Sequence, residues 1–286
     1  MDHSSNANSL ARHSTLSYGE FARRYLRPLR PVIVEGAMAG SPAFGKWTPR
    51  FFAERYGSRS IAIDGHEYRM ADFIDLVEQS PADRPAPYFR NVGIETWAPE
   101  LMADILPLPR YVRPNWLDSR LFPDGRSLSS IELYIGSAGA TFPVLHYDNL
   151  HTNAYLMQLH GAKEYLLYAP DQAEFLYPRD GIERNKSAIG DVERPDLDRF
   201  PLFARATGMR CVLNAGELLF VPAGWWHTAR ILQPSVTVSV NTVNGANWKP
   251  FLCDYLASAS RRRSRNATQL LALYLRMFGR VADLVG

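Results

Sequence analysis

At 286 residues, 46% of them apolar and 12% aromatic, the chain carries enough hydrophobic material for one large packed domain and is not a disordered or fibrous polypeptide. Its 32 basic and 29 acidic residues leave a net charge of +3, which removes any global electrostatic argument for nucleic acid or an anionic membrane surface. Two cysteines, Cys211 and Cys253, exclude a disulfide framework and point to a reducing, cytoplasmic setting, and no apolar run approaches the roughly 20 residues that span a bilayer.

Met1 to Ser14 are polar and lack the hydrophobic stretch of a secretory signal, so residues 1–16 are expected to form a flexible tail. The spacing of Tyr18, Phe21, Ala22 and Tyr25 predicts a helix with Ser17 as its N-cap, ended by Pro28 and Pro31. Pro31 to Val34 reads as a short buried strand. Thr48 to Tyr56 predicts a second helix, with Pro49 suited to its first position. Ile61–Ile63 and Glu67–Arg69 flank Asp64-Gly65, a hairpin signal, and Met70 to Glu78 is helical again.

Beyond Pro87 the pattern turns to short strands: Tyr88–Arg90, Ile131–Ile135, Thr141–Asp148, Ala154–His160, Lys163–Ala169, Met209–Leu213, Glu217–Val221 and Val236–Val243. Turn signals such as Gly161-Ala162 and Pro222-Ala-Gly224 separate them. Short strands at this spacing predict a mainly β fold, a double-sheet antiparallel barrel of the jelly-roll or cupin kind. The Pro-, Asp- and Arg-rich stretch 171–203 reads as a surface insertion. Helical periodicity returns over Pro250–Ser260 and Ala267–Val285, joined by the basic run Arg261 to Arg265, which reads as a solvated linker. The apolar positions of the last helix, Leu270 to Val281, predict a packing partner, which a second copy of the chain would supply.

One constellation carries chemistry. His146-Tyr147-Asp148 is answered far downstream by His227, in Val221-Pro-Ala-Gly-Trp-Trp-His227. Residues two apart on a strand share a face, so His146 and Asp148 are expected to grip one ion while Tyr147 points away. Two imidazoles and one carboxylate with positions left open are the ligand set of non-haem Fe(II) oxygenases. Trp225 and Trp226 are expected to wall the pocket mouth, and Cys211 to fill the core as a small hydrophobe.

These segments, together with Gln158-Leu-His-Gly-Ala-Lys163, Leu167-Tyr-Ala-Pro170 and Val236-Thr-Val-Ser-Val-Asn241, resemble the cupin-like JmjC dioxygenases, and in character the asparaginyl hydroxylase of hypoxia-inducible factor. The resemblance covers roughly residues 17–247. It implies a double-stranded β-helix core over 17–249 with a C-terminal helical segment over 250–286. It further implies Fe(II) on His146, Asp148 and His227, 2-oxoglutarate as cosubstrate, O2, and hydroxylation of an unactivated C–H bond.

Lys163 is the cation assigned to the distal carboxylate of 2-oxoglutarate, since an ammonium amid Tyr165, Leu166 and Leu167 is costly to bury without an anion. Thr141, Tyr134 and Tyr88 are candidate hydroxyl partners of the same carboxylate. Asn241 matches an asparagine near the cosubstrate in the family, and the one that follows the Asp ligand falls at Asn153 or has its place taken by Ala154, with His151 nearby. The spacing between Asp148 and Lys163 departs from the family's by about two residues, which bears on these partners and not on the metal triad. The expected substrate is an amino-acid side chain in a protein or peptide. A small-molecule hydroxylase and a non-catalytic metal-binding cupin module remain the alternatives.

Overall fold

A computed structural model describes residues 10–123 and 128–285. Twelve strands are described: β1 Arg12–His13, β2 Val32–Val34, β3 Ser60–Ile63, β4 His66–Arg69, β5 Phe89–Gly93, β6 Ile131–Gly136, β7 Asn153–His160, β8 Ala162–Tyr168, β9 Gly208–Asn214, β10 Leu218–Val221, β11 Trp226–Ile231 and β12 Ser235–Thr242. Seven form one sheet in the order β1-β2-β10-β7-β12-β6-β5, three form a second in the order β11-β8-β9, and β3-β4 is a separate hairpin. The expected mainly β, double-sheet cupin architecture with flanking helices is the one observed.

Sequence chemistry explains the N-terminal elements. Ser17 and Glu20 make a reciprocal capping box at the start of α1 (Tyr18–Phe21), which runs on into a wider turn over Ala22–Leu26. Thr48 caps α2 (Pro49–Tyr56), with Pro49 at its first turn. In the β3–β4 hairpin Asp64 and Gly65 both adopt positive φ, 49° and 85°, as a tight two-residue turn requires. The helix α3 (Met70–Gln79) follows. Part of the expected tail is ordered: Arg12–His13 pairs in parallel with Ile33–Val34, and the Arg12 guanidinium bonds Glu217. Residues 1–9 lie outside the described set.

The seven-stranded sheet is covered on one face by apolar packing. Leu133 and Ile135 of β6, Tyr155, Met157 and Leu159 of β7, Leu218 and Phe220 of β10, and Val236, Val238 and Val240 of β12 share a cluster with Phe21, Trp47, Phe52 and Phe73. Alternate residues face the other sheet, where Ala154, Leu219 and Val221 meet Tyr165, Leu167 and Leu213. Burying each large aliphatic side chain contributes about 1.5–3 kcal/mol, so these two layers supply most of the drive to fold.

At the C-terminus, α4 (Trp248–Ala259) and α5 (Arg265–Val285) close a third cluster. There Phe251, Tyr255, Leu275 and Phe278 pack on Trp116, Phe122 and Val243, with Leu150 against them. The segment thus braces the loop beyond Asp148. The basic run between the helices is exposed.

Three expectations need correction. Thr141–Asp148 is not a strand; it makes isolated bridges at Thr141 and His146 only. Pro143 lacks an amide to donate, so a continuous ladder cannot run through it. The stretch 171–203 is more than a surface insertion, because Leu176 and Ile189 are fully buried against Leu145, Tyr147 and Trp226. Finally, β11 was not anticipated as a strand, since its Trp-His-Thr-Ala-Arg-Ile sequence has weak alternation.

Candidate metal centre

Backbone pairing brings the two histidines together. His146 and His227 are directly opposed and exchange both amide hydrogen bonds, His146 N–H to His227 O at 3.1 Å and the reverse at 2.6 Å. Their rings lie 4.5 Å apart between centroids. Phe142 stacks on the outer side of His146 at 4.6 Å and 20°. The far edge of this segment is held by the former insertion: Tyr147 N–H donates to Asn185 O, and Ser187 N–H to Leu145 O.

His146 Nδ1 lies 3.0 Å from the Val144 carbonyl and His227 Nδ1 lies 3.1 Å from that of Trp225. A carbonyl only accepts, so each Nδ1 carries the proton and each Nε2 presents a free lone pair. Burial, and then the neighbouring His227, push His146 down to about 3, which keeps its imidazole neutral. Neutral imidazoles with Nε2 free are the form that ligates a metal.

Asp148 completes the set. Its Oδ1 is 3.8 Å from His146 Nε2, and one ligand atom from each of the three residues lies within 4.8 Å of the others. Donor atoms about 2.1 Å from one ion lie well under roughly 4.2 Å apart unless they face each other across it, so these side chains would draw closer around a metal. Burial raises the Asp148 carboxyl, while His227 and a hydrogen bond from Asn241 pull it back. The donor set and its protonation fit a divalent first-row metal.

The turn after Asp148 is strained. Leu150 and His151 both have positive φ, 59° and 50°, a conformation costing non-glycine residues about 1–2 kcal/mol each. Side chains from the C-terminal segment hold it. His151 Nδ1 is 2.6 Å from Asp254 of α4, and Asn247 Nδ2 donates to the His151 carbonyl at 2.9 Å.

A cavity of about 470 Å³ opens between the sheets, lined by the triad and by Lys163. Lys163 is 1% exposed. Its ammonium donates to the Tyr88 hydroxyl at 2.8 Å and sits over the rings of Tyr88 and Tyr134 at 5.2 and 5.6 Å. It makes no ion pair with any described residue, and burial lowers it to about 7. A buried ammonium with only a phenol and two ring faces for company lacks an anion. The distal carboxylate of a keto acid is such an anion, so the site fits 2-oxoglutarate as well as a metal.

The other expected residues divide. Tyr88, Tyr134 and Asn241 line the same cavity, Asn241 donating to Thr152 Oγ1 at 2.9 Å. Thr141 does not: it is exposed and lines a neighbouring cavity, because the bridge to Arg230 turns it outward. Asn153 is fully buried outside the cavity, its Oδ1 accepting from Ala223 N–H at 2.9 Å, and so steadies the turn before His227. Trp225 and Trp226 do not wall the mouth either. Trp225 donates to Leu29 O, and Trp226 is buried edge-on against Tyr147.

Sequence reasoning missed Asn91, Glu132, Asn185, Lys186, Thr237 and Ser239, all of which line the cavity. For Thr237 and Ser239 a signal was present: polar residues alternate with Val236, Val238 and Val240 in a strand buried on both faces. Asn185 and Lys186 had none, since only the chain's return along His146 brings them there.

Residues 59–243 match the family described as the cupin-like domain. The chain is 29% identical over 233 residues to lysine-specific demethylase 8 of Xenopus tropicalis, covering 78% of this chain and 50% of that protein. It is 28% identical over 257 residues to tRNA wybutosine-synthesizing protein 5 of Gallus gallus, with coverages of 78% and 74%. It is 27% identical over 244 residues to JmjC domain-containing protein D of Dictyostelium discoideum, with coverages of 78% and 53%. The chain spans about half the length of the first and third of these relatives.

Proposed function

Because this chain belongs to the cupin-like domain family, we propose that it is an Fe(II)- and 2-oxoglutarate-dependent oxygenase of the JmjC kind, hydroxylating an unactivated C–H bond of an amino-acid side chain in a protein or peptide. The observation that carries this reading is the buried Lys163 ammonium, without an anion, in the same cavity as the His-Asp-His set. A purely structural metal site has no use for that lysine. The non-catalytic alternative therefore explains less.

In this reading His146 and His227 hold the iron through Nε2, and Asp148 through its carboxylate. Bound iron, with 2-oxoglutarate and O2, supplies the oxidising power: the C–H bond and O2 and the keto acid become C–OH, succinate and CO2. The chain's own residues bind, orient and exclude. Lys163 and the Tyr88 hydroxyl grip the distal carboxylate deep between the sheets. Asn241 steadies Asp148 by hydrogen bond. Phe142, stacked on His146, keeps water from that imidazole. The pair of Val144 and Trp225 carbonyls holds both Nδ1 protons in place.

Succinate release from 2-oxoglutarate in the presence of ferrous ion and air tests the reading. It is expected from the wild-type protein and lost in His146→Ala and Asp148→Ala. Turnover that persists in both variants contradicts it.

Assembly and location follow as smaller proposals. Helix α5 exposes Leu270, Leu273, Tyr274, Met277 and Val281, and a homodimer through this face would cover them. Light scattering that finds the same mass with and without residues after Ala267 refutes it. Two free cysteines, and no described helix long and apolar enough to cross a membrane, support a cytoplasmic setting.

A further inference from the structure

The charges lining the cavity do not balance once metal and keto acid have taken theirs. Arg90 turns to Asp64 at 3.2 Å, and Lys186 to Glu183 at 2.6 Å. On the reading above, Lys163 takes the keto acid and Asp148 the metal. Glu132 is left over. It is half-buried on β6, and the only partner it has among the described residues is the Tyr134 hydroxyl, which donates to its Oε2 at 2.7 Å. Burial raises its carboxyl, the Tyr134 hydrogen bond offsets part of that, and Asp148 raises it again; no basic side chain acts on it.

Register says where this carboxylate stands. Glu132 is opposite Ser239 of β12 and Gly93 of β5. Along the inward face of β12, Thr237 lies at the level of Tyr134 and Lys163, and Asn241 at the level of Asp148. Ser239, and Glu132 with it, falls between them, about 7 Å from either level. Glu132 also sits toward the β5 edge, where Asn91, with a positive φ of 56°, brings its side-chain oxygen within 2.7 Å of the same Tyr134 hydroxyl. A carboxylate shielded from water without a cation is a cost in folding free energy that a ligand would relieve.

We infer that Glu132 docks the substrate, and that the substrate presents a cationic nitrogen, an ammonium or a guanidinium, a short chain away from the C–H bond that is oxidised. The inference rests on the oxygenase reading and narrows it to basic side chains. Arg90 also lines the cavity but is held by Asp64 and does not neutralise Glu132. Tyr134 has one proton for two acceptors, Glu132 Oε2 and Asn91 Oδ1, each at 2.7 Å, so its hydroxyl does not by itself satisfy the Glu132 carboxylate, which lines the cavity.

Binding of small probes tests this without turnover. The protein is loaded with Mn(II) and 2-oxoglutarate under argon, and line broadening of probe methylene protons by the paramagnetic ion is followed by NMR. The probes are the Nα-acetyl amides of arginine and lysine, with those of citrulline and norleucine as neutral counterparts. Cationic probes are expected to broaden saturably, with neutral ones at least about tenfold weaker, and Glu132→Gln to erase the difference while a circular-dichroism melt shows it folded. Equal binding by neutral probes, no approach of the cationic ones, or an undiminished preference in folded Glu132→Gln overturns the inference. If Mn(II) or 2-oxoglutarate fails to bind the wild-type protein, the oxygenase reading falls, and this inference with it.

Discussion

The two faces of the seven-stranded sheet are built from the same strands and do opposite things. On β12 the residues Val236, Val238 and Val240 point to the helices, and Thr237, Ser239 and Asn241 point inward; on β6 Leu133 and Ile135 point out, and Glu132 and Tyr134 in. An ordinary half-exposed sheet keeps its apolar face inside and its polar face in water. Here β12 and β6 turn their polar residues to the enclosed side, beside the apolar Ala154, Leu219 and Val221 of β7 and β10, so these polar groups cannot rely on bulk solvent. The outer apolar face provides stability together with the apolar part of the inner one, while the polar strip of β12 and β6 lines the cavity, across from Lys163 on β8 and His227 on β11 of the second sheet. The difference predicts that substitutions separate: those at polar residues lining the cavity, on either sheet, change function at little or no cost in folding, and those on the outer apolar face the reverse.

The largest effect expected is at the triad. Asp148→Ala or His227→Ala should lower turnover by more than about 100-fold, beyond the range for residues that only support a ligand, with a melting temperature close to wild type. A variant that unfolds, or one that keeps its turnover, breaks the comparison.

Next is Lys163→Met. Removing the cation assigned to the keto acid should weaken 2-oxoglutarate binding by roughly 100-fold or more, as calorimetry would show. The same change should stabilise the protein without ligand. The sign follows from burial. The ammonium is lowered to about 7 in the folded chain against an ordinary 10.5 when unfolded. Between those values the unfolded chain binds the extra proton, so wild-type stability climbs as pH rises from about 7 to about 10. Lys163→Met should lack that climb and melt higher at pH 7, by on the order of a few kcal/mol. In the wild type, affinity for the dianion should fall as pH rises above about 7, because the free protein then loses the charge that grips it.

On the outer face, Leu133→Ala should cost about 2–5 kcal/mol in urea denaturation, with turnover per folded molecule unchanged. A loss of turnover without destabilisation would mean that the outer face has a part in the site. The smallest effect is expected at Ser239→Ala, within about 0.5 kcal/mol of wild-type stability, since its side chain makes no hydrogen bond among the described residues.

Much of this contrast was legible in the sequence. The Gly-Ala-Lys163 turn into an apolar strand marked the buried cation, and His146-x-Asp148 with a distant His227 marked the three side chains that converge as a candidate metal set, because short-range spacing and residue chemistry suffice for both. The reasoning behind the spacing was partly wrong. His146 and Asp148 converge through a bridged, irregular segment and not through a regular strand, as Pro143 forbids the ladder. Thr141 and Asn153 were misplaced for a related reason: where the chain leaves regular structure, period two no longer says which way a side chain points. Asn185 and Lys186 were invisible because their place depends on a long return of the chain. Glu132 was readable only as one polar residue in an apolar strand until the enclosed face was known.

The central claim is that Lys163 and the His146–Asp148–His227 set serve one keto acid on one iron. Anaerobic titration of the protein with ferrous ion and 2-oxoglutarate, followed by visible absorption, tests it most directly. A charge-transfer band that appears only when both are present, saturates at one equivalent of iron, and requires far more 2-oxoglutarate in Lys163→Met is the result expected. No band in the wild-type protein with both bound, or a band indifferent to Lys163, would contradict the claim.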